Sequence, residues 1–311
     1  MLKLLQNEWM KLWHKKGTWV MLILLILGVF AFAGLYKWTG NLEKENWKAA
    51  EEQSIKEQQS MISAGDLSKD ELQEAKDSIK ISEYRLKNNV PPVETKSTES
   101  YMEEGTILLS FISLFGTIIA AGIVSSEFST GTIKMLLTRP ISRAKILTSK
   151  LLTVFIFVIT LAALSLVLTF ICGSILFGSS DGTDLVIEGN KIVEASSIGH
   201  TLYMYVLNFG DIFMSVIFAF MIGSIFRSSS LAIGLTLFIN FMGASLVMLL
   251  SKYEFVKYLW ITNTDLTQFE PGGFSIVDGL TMPFSLTILV IYAIIFLVAS
   301  FITFIKRDVT A

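Results

Sequence analysis

Among 311 residues there are one cysteine, five prolines and two histidines, and only 17% of the chain is Asp, Glu, Lys or Arg. Cys172 therefore has no partner for an intramolecular disulfide, and with His14 and His200 it makes no metal-ligand constellation. His14 reads as an interfacial residue beside Trp9 and Trp13, and His200 as a cap-region residue ahead of an apolar run. No stretch fits Gly-x-x-x-x-Gly-Lys-Ser/Thr, so the chain carries no phosphate-cradling loop of that kind. A formal net charge of −2, from 25 basic and 27 acidic residues, gives no electrostatic reason to bind nucleic acid. What fills the chain instead is apolar: 52% hydrophobic residues and a mean hydropathy of +0.59 exclude a water-soluble enzyme.

A bilayer-spanning helix needs about 20 largely apolar residues. Six stretches qualify, at residues 18–36 (span one), 105–125, 150–177, 201–226, 230–251 and 284–305 (span six). Span one reads as retained rather than cleaved, because its apolar run from Val20 to Leu35 exceeds a signal core and no small-x-small cleavage site follows. Short loops on one side (1–17, 126–149, Arg227 and the 306–311 tail) hold twelve basic residues, counting Lys150 at the start of span three, against three acidic. The loops 178–200 and 252–283 hold three against eight. The excess of Lys and Arg places both termini in the cytoplasm. The long segment 37–104 carries ten basic and fifteen acidic residues, but loops longer than about 60 residues translocate largely regardless of charge.

Within that external segment, 41–63 and 68–88 read as two helices of a hairpin, broken at Ala64-Gly65-Asp66. Ser68 and Glu71 have capping-box spacing, Leu72, Ala75, Ile79 and Leu86 share one face, and Val90-Pro91-Pro92 stops the second helix. The hairpin is either a lid or docking site, or a solvated connector. Residues 252–283, with Phe255, Tyr258, Trp260 and Phe269-Glu270-Pro271-Gly272-Gly273-Phe274, read as interfacial turns or a short re-entrant piece.

The cytoplasmic stretch after span two holds the most information. Ile133, Leu136 and Leu137 sit at i, i+3 and i+4, Pro140 forces a break, and Arg139, Arg143 and Lys145 cluster around the elbow. Positive-inside anchoring explains the charges alone, but not Glu127, Gly131 and the proline elbow together. The run Glu127-Phe128-Ser129-Thr130-Gly131-Thr132, followed by Leu136-Leu137-Thr138-Arg139-Pro140-Ile141-Ser142-Arg143-Ala144-Lys145, resembles the membrane subunits of bacterial type-2 ABC exporters. The resemblance extends to six spans with both ends inside, an amphipathic N-terminal segment with Glu8, Trp9 and Trp13, and the Phe304-to-Val309 terminus.

That resemblance implies an all-α polytopic permease in the bacterial cytoplasmic membrane, with an N-terminal amphipathic cytoplasmic helix and an external helical hairpin. It implies a cytoplasmic ABC ATPase subunit in two copies, which would hold the ATP and Mg, and a second permease copy or paralogue. Glu127, Gly131, Thr132, Arg139, Pro140, Arg143 and Lys145 would form the coupling element, with Glu8, Trp9 and Trp13 nearby. The substrate would be an amphipathic peptide, antibiotic or lipid-like compound, with resistance as a physiological role. On this reading Glu127 ion-pairs with Arg139 or Arg143, and the chain itself is not an enzyme and needs no cofactor.

Inside the spans, Asn208 and Asp211 lie three residues apart on one face, and Asn240 is available on the next span. An aspartate in hydrocarbon marks a translocation path or gate, unless it sits near the interface or merely ties helices together. Gly116, Gly122, Gly223, Gly234 and Gly243 read as close-packing positions. Two other classes remain open: a membrane-embedded sensor using residues 41–100, and an intramembrane enzyme using Asp211 with Asn208 or Asn240.

Overall fold

The computed structural model describes residues 1–39, 47–64, 69–93, 96–130, 141–180, 182–188, 191–270, 275–277 and 279–306. Among them the helices are α1 (Leu2–His14), α2 (Lys16–Thr39), α3 (Trp47–Ala64), α4 (Lys69–Asn88), α5 (Thr98–Glu104), α6 (Leu109–Ser129), α7 (Arg143–Leu176), α8 (Ser197–Phe226), α9 (Ser229–Leu250) and α10 (Met282–Lys306). Six helical segments are long and apolar enough to cross a membrane: α2, α5 continuing into α6, and α7 to α10. The protein is accordingly a multi-pass, helical membrane protein.

Two boundaries differ from the sequence reading, and both extend a span through polar residues. The second begins at Thr98 rather than 105, because α5 runs into α6 through a 3-10 turn at Gly105–Leu108. The third begins at Arg143 rather than 150, so residues 143–149 of the 126–149 segment assigned to cytoplasmic coupling helices belong to α7. A hydropathy window stops at Lys150, but the helix continues because that charge has carboxylate partners.

A third difference lies in 178–200, read as a loop. Here β1 (Asp184–Glu188) pairs antiparallel with β2 (Lys191–Ala195), the one ribbon among the described residues. The register leaves Gly189 and Asn190 between alternating Leu-Val-Ile and Ile-Val stretches, a two-residue hairpin signal that is legible in retrospect.

The chain divides into two compact units, residues 1–27, 108–165 and 205–311 in one, and 28–107 with 166–204 in the other. In the first, α6 and α8 are the most buried helices, whereas α9 and α10 keep most of their surface exposed. Close approach is built on glycine. A Cβ on Gly116 would stand 2.6 Å from Val158 Cγ1 and 2.9 Å from Val216 Cγ2, and one on Gly223 would stand 2.7 Å from the Ala121 carbonyl oxygen. Gly243 is likewise closed off by Ile261, but Gly122 and Gly234 meet nothing within 4 Å and do not serve helix packing as expected.

In the same unit the 252–270 stretch folds as three 3-10 turns, Glu254–Tyr258, Trp260–Asn263 and Leu266–Phe269. Trp260 departs from the expected interfacial aromatic: it is buried against Phe218 and Phe296. Asn263, fully buried, donates to the Lys257 and Leu259 carbonyls and accepts from Ser285, which pins these turns to α10. Pro271 to Phe274 lie outside the described residues.

The second unit contains the α3/α4 hairpin, with the helices packed on each other. Its break at Gly65-Asp66 and the Ser68 cap lie outside the described residues. The stop of α4 is made before the prolines act: Asn89 adopts φ +55° and the Val90 amide returns to the Arg85 carbonyl at 3.0 Å, a left-handed C-terminal cap. Arg85, buried, donates to the Thr183 carbonyl at 2.9 Å and lies 3.7 Å from Glu51, which joins both hairpin helices to the approach of β1. Elsewhere in this unit Tyr101 is fully buried, stacks on Phe32 and donates to the Val29 carbonyl.

Candidate functional site

The residues singled out in the sequence meet, in part, at the foot of α6. α1 is an amphipathic helix whose buried positions are Glu8 and Leu12, one turn apart. It ends where Lys15 turns extended (φ −76°, ψ 127°), and Thr18 of α2 caps it by donating to the Leu12 carbonyl at 2.6 Å. Trp9 and Trp13 meet edge to face at 5.6 Å, and Trp13 packs similarly on Trp19 and on Phe157 of α7. These contacts fix the rotation of α1 and direct Glu8 inward.

Lys150 of α7 is the hub. Its ammonium, 1% exposed, donates to Glu8 Oε2 at 2.8 Å and lies 2.6 Å from Glu127 Oε1. Lys11 closes the square, 2.9 Å from Glu8 Oε1 and 3.4 Å from Glu127 Oε1. Two carboxylates thus balance two ammonium groups across three helices. Burial by itself would raise the Glu8 carboxyl, but the Lys150 and Lys11 ammonium groups outweigh it and hold Glu8 below the ordinary glutamate value. Burial opposes the charge of Lys11 too, and Glu8 with Glu127 more than offset it, raising its pKa. Lys15, beside the square, is lowered by burial and by repulsion from Lys150, against the pull of Glu127 and Glu8.

Phe128, next in sequence, faces other helices. The Arg227 guanidinium sits 4.2 Å from its ring centroid, and Phe304 of α10 meets it edge to face at 6.1 Å. Arg227 holds φ +54° at the α8–α9 corner, a conformation few non-glycine residues adopt. Arg143, at the start of α7, donates to the Ile305 carbonyl at 3.0 Å, near the C-terminal end of α10 where a cation is favoured. Adjacent residues at the end of α6 therefore bind α1 and α7 through Glu127, and the α8–α9 corner and α10 through Phe128. The Ser125 and Ser229 hydroxyls add a hydrogen bond between α6 and α9.

Lys150 and Lys11 are cations at Glu127 that the sequence reading had not paired with it, and Arg139, one of the two arginines expected there, lies outside the described residues. Lys150 lies two turns inside α7, where it meets α1 and α6, and Arg143 at the start of the same helix reaches the end of α10. Lys145 is exposed, and its amide donates to the Ser142 hydroxyl at the start of α7. Gly131, Thr132, Arg139 and Pro140 lie outside the described residues. Neither Lys150 nor Lys11 stood out in the sequence, where they count as two of many basic residues; the i, i+3 pair of Glu8 and Lys11 was the available signal.

The polar residues within the spans separate into pairs. Asp211 accepts from Ser113 of α6 at 3.1 Å, and Asn240 of α9 accepts from Ser215 of α8 at 3.1 Å. Asn208 lies one turn before Asp211. Asp211 and Asn240 both line a cavity of about 150 Å³, together with Asp265, Thr262 and Gln268. Ser113, Asp265 and Gln268 had not been singled out.

A larger cleft, about 810 Å³, opens beside the charge square. Lys11, Lys15, Thr18 and Met21 form one wall, Ile118, Gly122, Ile123 and Ser126 of α6 another, and Ser229 and Ile233 of α9 the third.

Residues 75–310 match the family described as "Protein of unknown function (DUF2705)", and the chain belongs to that family. It is 35% identical over 315 residues to "Uncharacterized protein YhcI" of Bacillus subtilis (strain 168), covering 99% of each chain. It is 34% identical over 212 residues to "Uncharacterized membrane protein YdbK" of the same organism, covering 68% of this chain and 81% of that one. No solved structure gives a significant match. The resemblance to type-2 ABC exporter subunits is thereby corrected, because the family that matches is a different one. The Glu-Phe-x-x-Gly-Thr run that carried the resemblance is short, and the family match rests on 75–310 as a whole.

Proposed function

We propose that this family member is the membrane subunit of an ATP-driven exporter, working as a pair with a second copy or a paralogue. Both termini and the foot of α6 lie in the cytoplasm of a bacterial cell, the α3/α4 hairpin lies outside, and a separate cytoplasmic ATPase subunit in two copies holds the ATP and Mg. The chain does no chemistry of its own. Its substrate is an amphipathic peptide, antibiotic or lipid-like compound, for which exposed apolar helices and cavities beside polar groups are suitable surroundings.

The observation that carries this reading is the double connection at Glu127 and Phe128. A partner that pushes on the segment after α6 acts on all the helix ends held there, since ion pairs on one side and aromatic contacts on the other resist independent movement. Such a plate converts a local displacement into concerted tilting, and ATP-driven closure of the partner then favours one of two permease states.

Affinity purification from mild-detergent membranes of the native host tests this, with wild type beside an Arg139→Glu/Arg143→Glu variant. Recovery of an ATPase subunit with wild type and its loss from the variant is the expected outcome. Recovery of the protein without any ATPase after crosslinking, although one is expressed, refutes the reading.

A further inference from the structure

The cleft beside the charge square has the shape and charge of an amphiphile site. At about 810 Å³ it lies in the size range of small-molecule pockets. Its apolar lining includes Met21, Ile118, Ile123 and Ile233, and its polar lining includes Lys11, Lys15, hydroxyl groups and the Glu8 and Glu127 carboxylates. Two glycines, Gly17 and Gly122, line it, and a Cβ on either meets nothing within 4 Å, so the bare backbone there faces open space rather than a packed helix.

The charge around the cleft is not balanced. Glu8 and Glu127 are matched by Lys11 and Lys150, which leaves Lys15 as the lysine of the lining with no carboxylate within ion-pair distance among the described residues. Burial and the nearby Lys150 lower its affinity for a proton, a cost that an arriving anion would relieve. The Trp9, Trp13 and Trp19 cluster on the same helices is the residue type that marks headgroup depth.

We propose that this cleft binds an anionic membrane phospholipid, with the phosphate on Lys15 and the Ser126 hydroxyl near it, and an acyl chain between α2, α6 and α9. The lipid then fills the space beside the plate that holds α1. This site does not depend on the export reading.

The test uses the full chain in mild detergent, titrated with phosphatidylglycerol or with phosphatidylcholine of the same acyl chains while thermal unfolding is followed. Phosphatidylglycerol raises the midpoint at about fivefold lower concentration, the ratio that one lysine near an anionic surface supplies. Lys15→Gln makes the two titrations coincide, and Gly122→Phe, which fills the open face, removes the preference as well. Equal titrations in wild type, or a preference that survives Lys15→Gln, overturn the proposal. So does a Gly122→Phe protein that keeps the preference but loses a dimer by light scattering, which assigns the cleft to a second copy.

Discussion

Replacing Lys150 by methionine keeps a long side chain inside α7 but removes the charge between two carboxylates. Glu8 and Glu127 have side chains only 6% and 12% exposed, and Lys11, itself 44% exposed, is the remaining ammonium of the square. Removing one partner of a buried ion pair costs about 3–5 kcal/mol, because the other charge stays desolvated. That is roughly a 10²- to 10⁴-fold shift in the equilibrium holding α1 in place. In detergent the thermal midpoint falls by about 5–8 °C if α1 docking and global unfolding are coupled. The triple variant Glu8→Gln/Glu127→Gln/Lys150→Met recovers most of the loss, since no buried charge of the square is left unpaired and the remaining ammonium, Lys11, is 44% exposed and hydrated. A Lys150→Met midpoint within about 2 °C of wild type, or a triple variant as unstable as the single one, refutes the argument that the square is an obligate unit.

Gly116→Ala forces a methyl against Val158 and Val216 at under 3 Å and costs about 1–3 kcal/mol, whereas Gly122→Ala, with open space, leaves the thermal midpoint near wild type. The pH dependence of α1 docking follows from Glu8. Its folded pKa is depressed, so its contribution is fully present above the ordinary glutamate value and is lost as pH falls through the lower folded value. The stability difference between wild type and Glu8→Gln is therefore largest near neutral pH and shrinks on acidification below about 4.5, as read from midpoints across a pH series.

Composition and periodicity by themselves determined that this is a helical membrane protein with six crossing segments and an α3/α4 hairpin, because hydrophobic length and helical stripes are local properties of the chain. They also marked Glu8, Trp9, Trp13, Glu127 and Arg143. What they could not supply was the partner of each. Lys150 reads as the charge that ends a span, and only its position opposite Glu8, 142 residues earlier, makes it the centre of a buried square. Asn263, Ser113 and Arg227 were equally silent, since a single polar residue acquires meaning from the carbonyl, carboxylate or ring that folding places against it. Glycines behaved in the same way. Gly116 and Gly122 lie six residues apart on one helix, yet one faces two valines and the other faces open space. Side-chain type sets what a residue can bind, but in a membrane, where each buried polar group needs its own partner, tertiary packing decides which one it does bind.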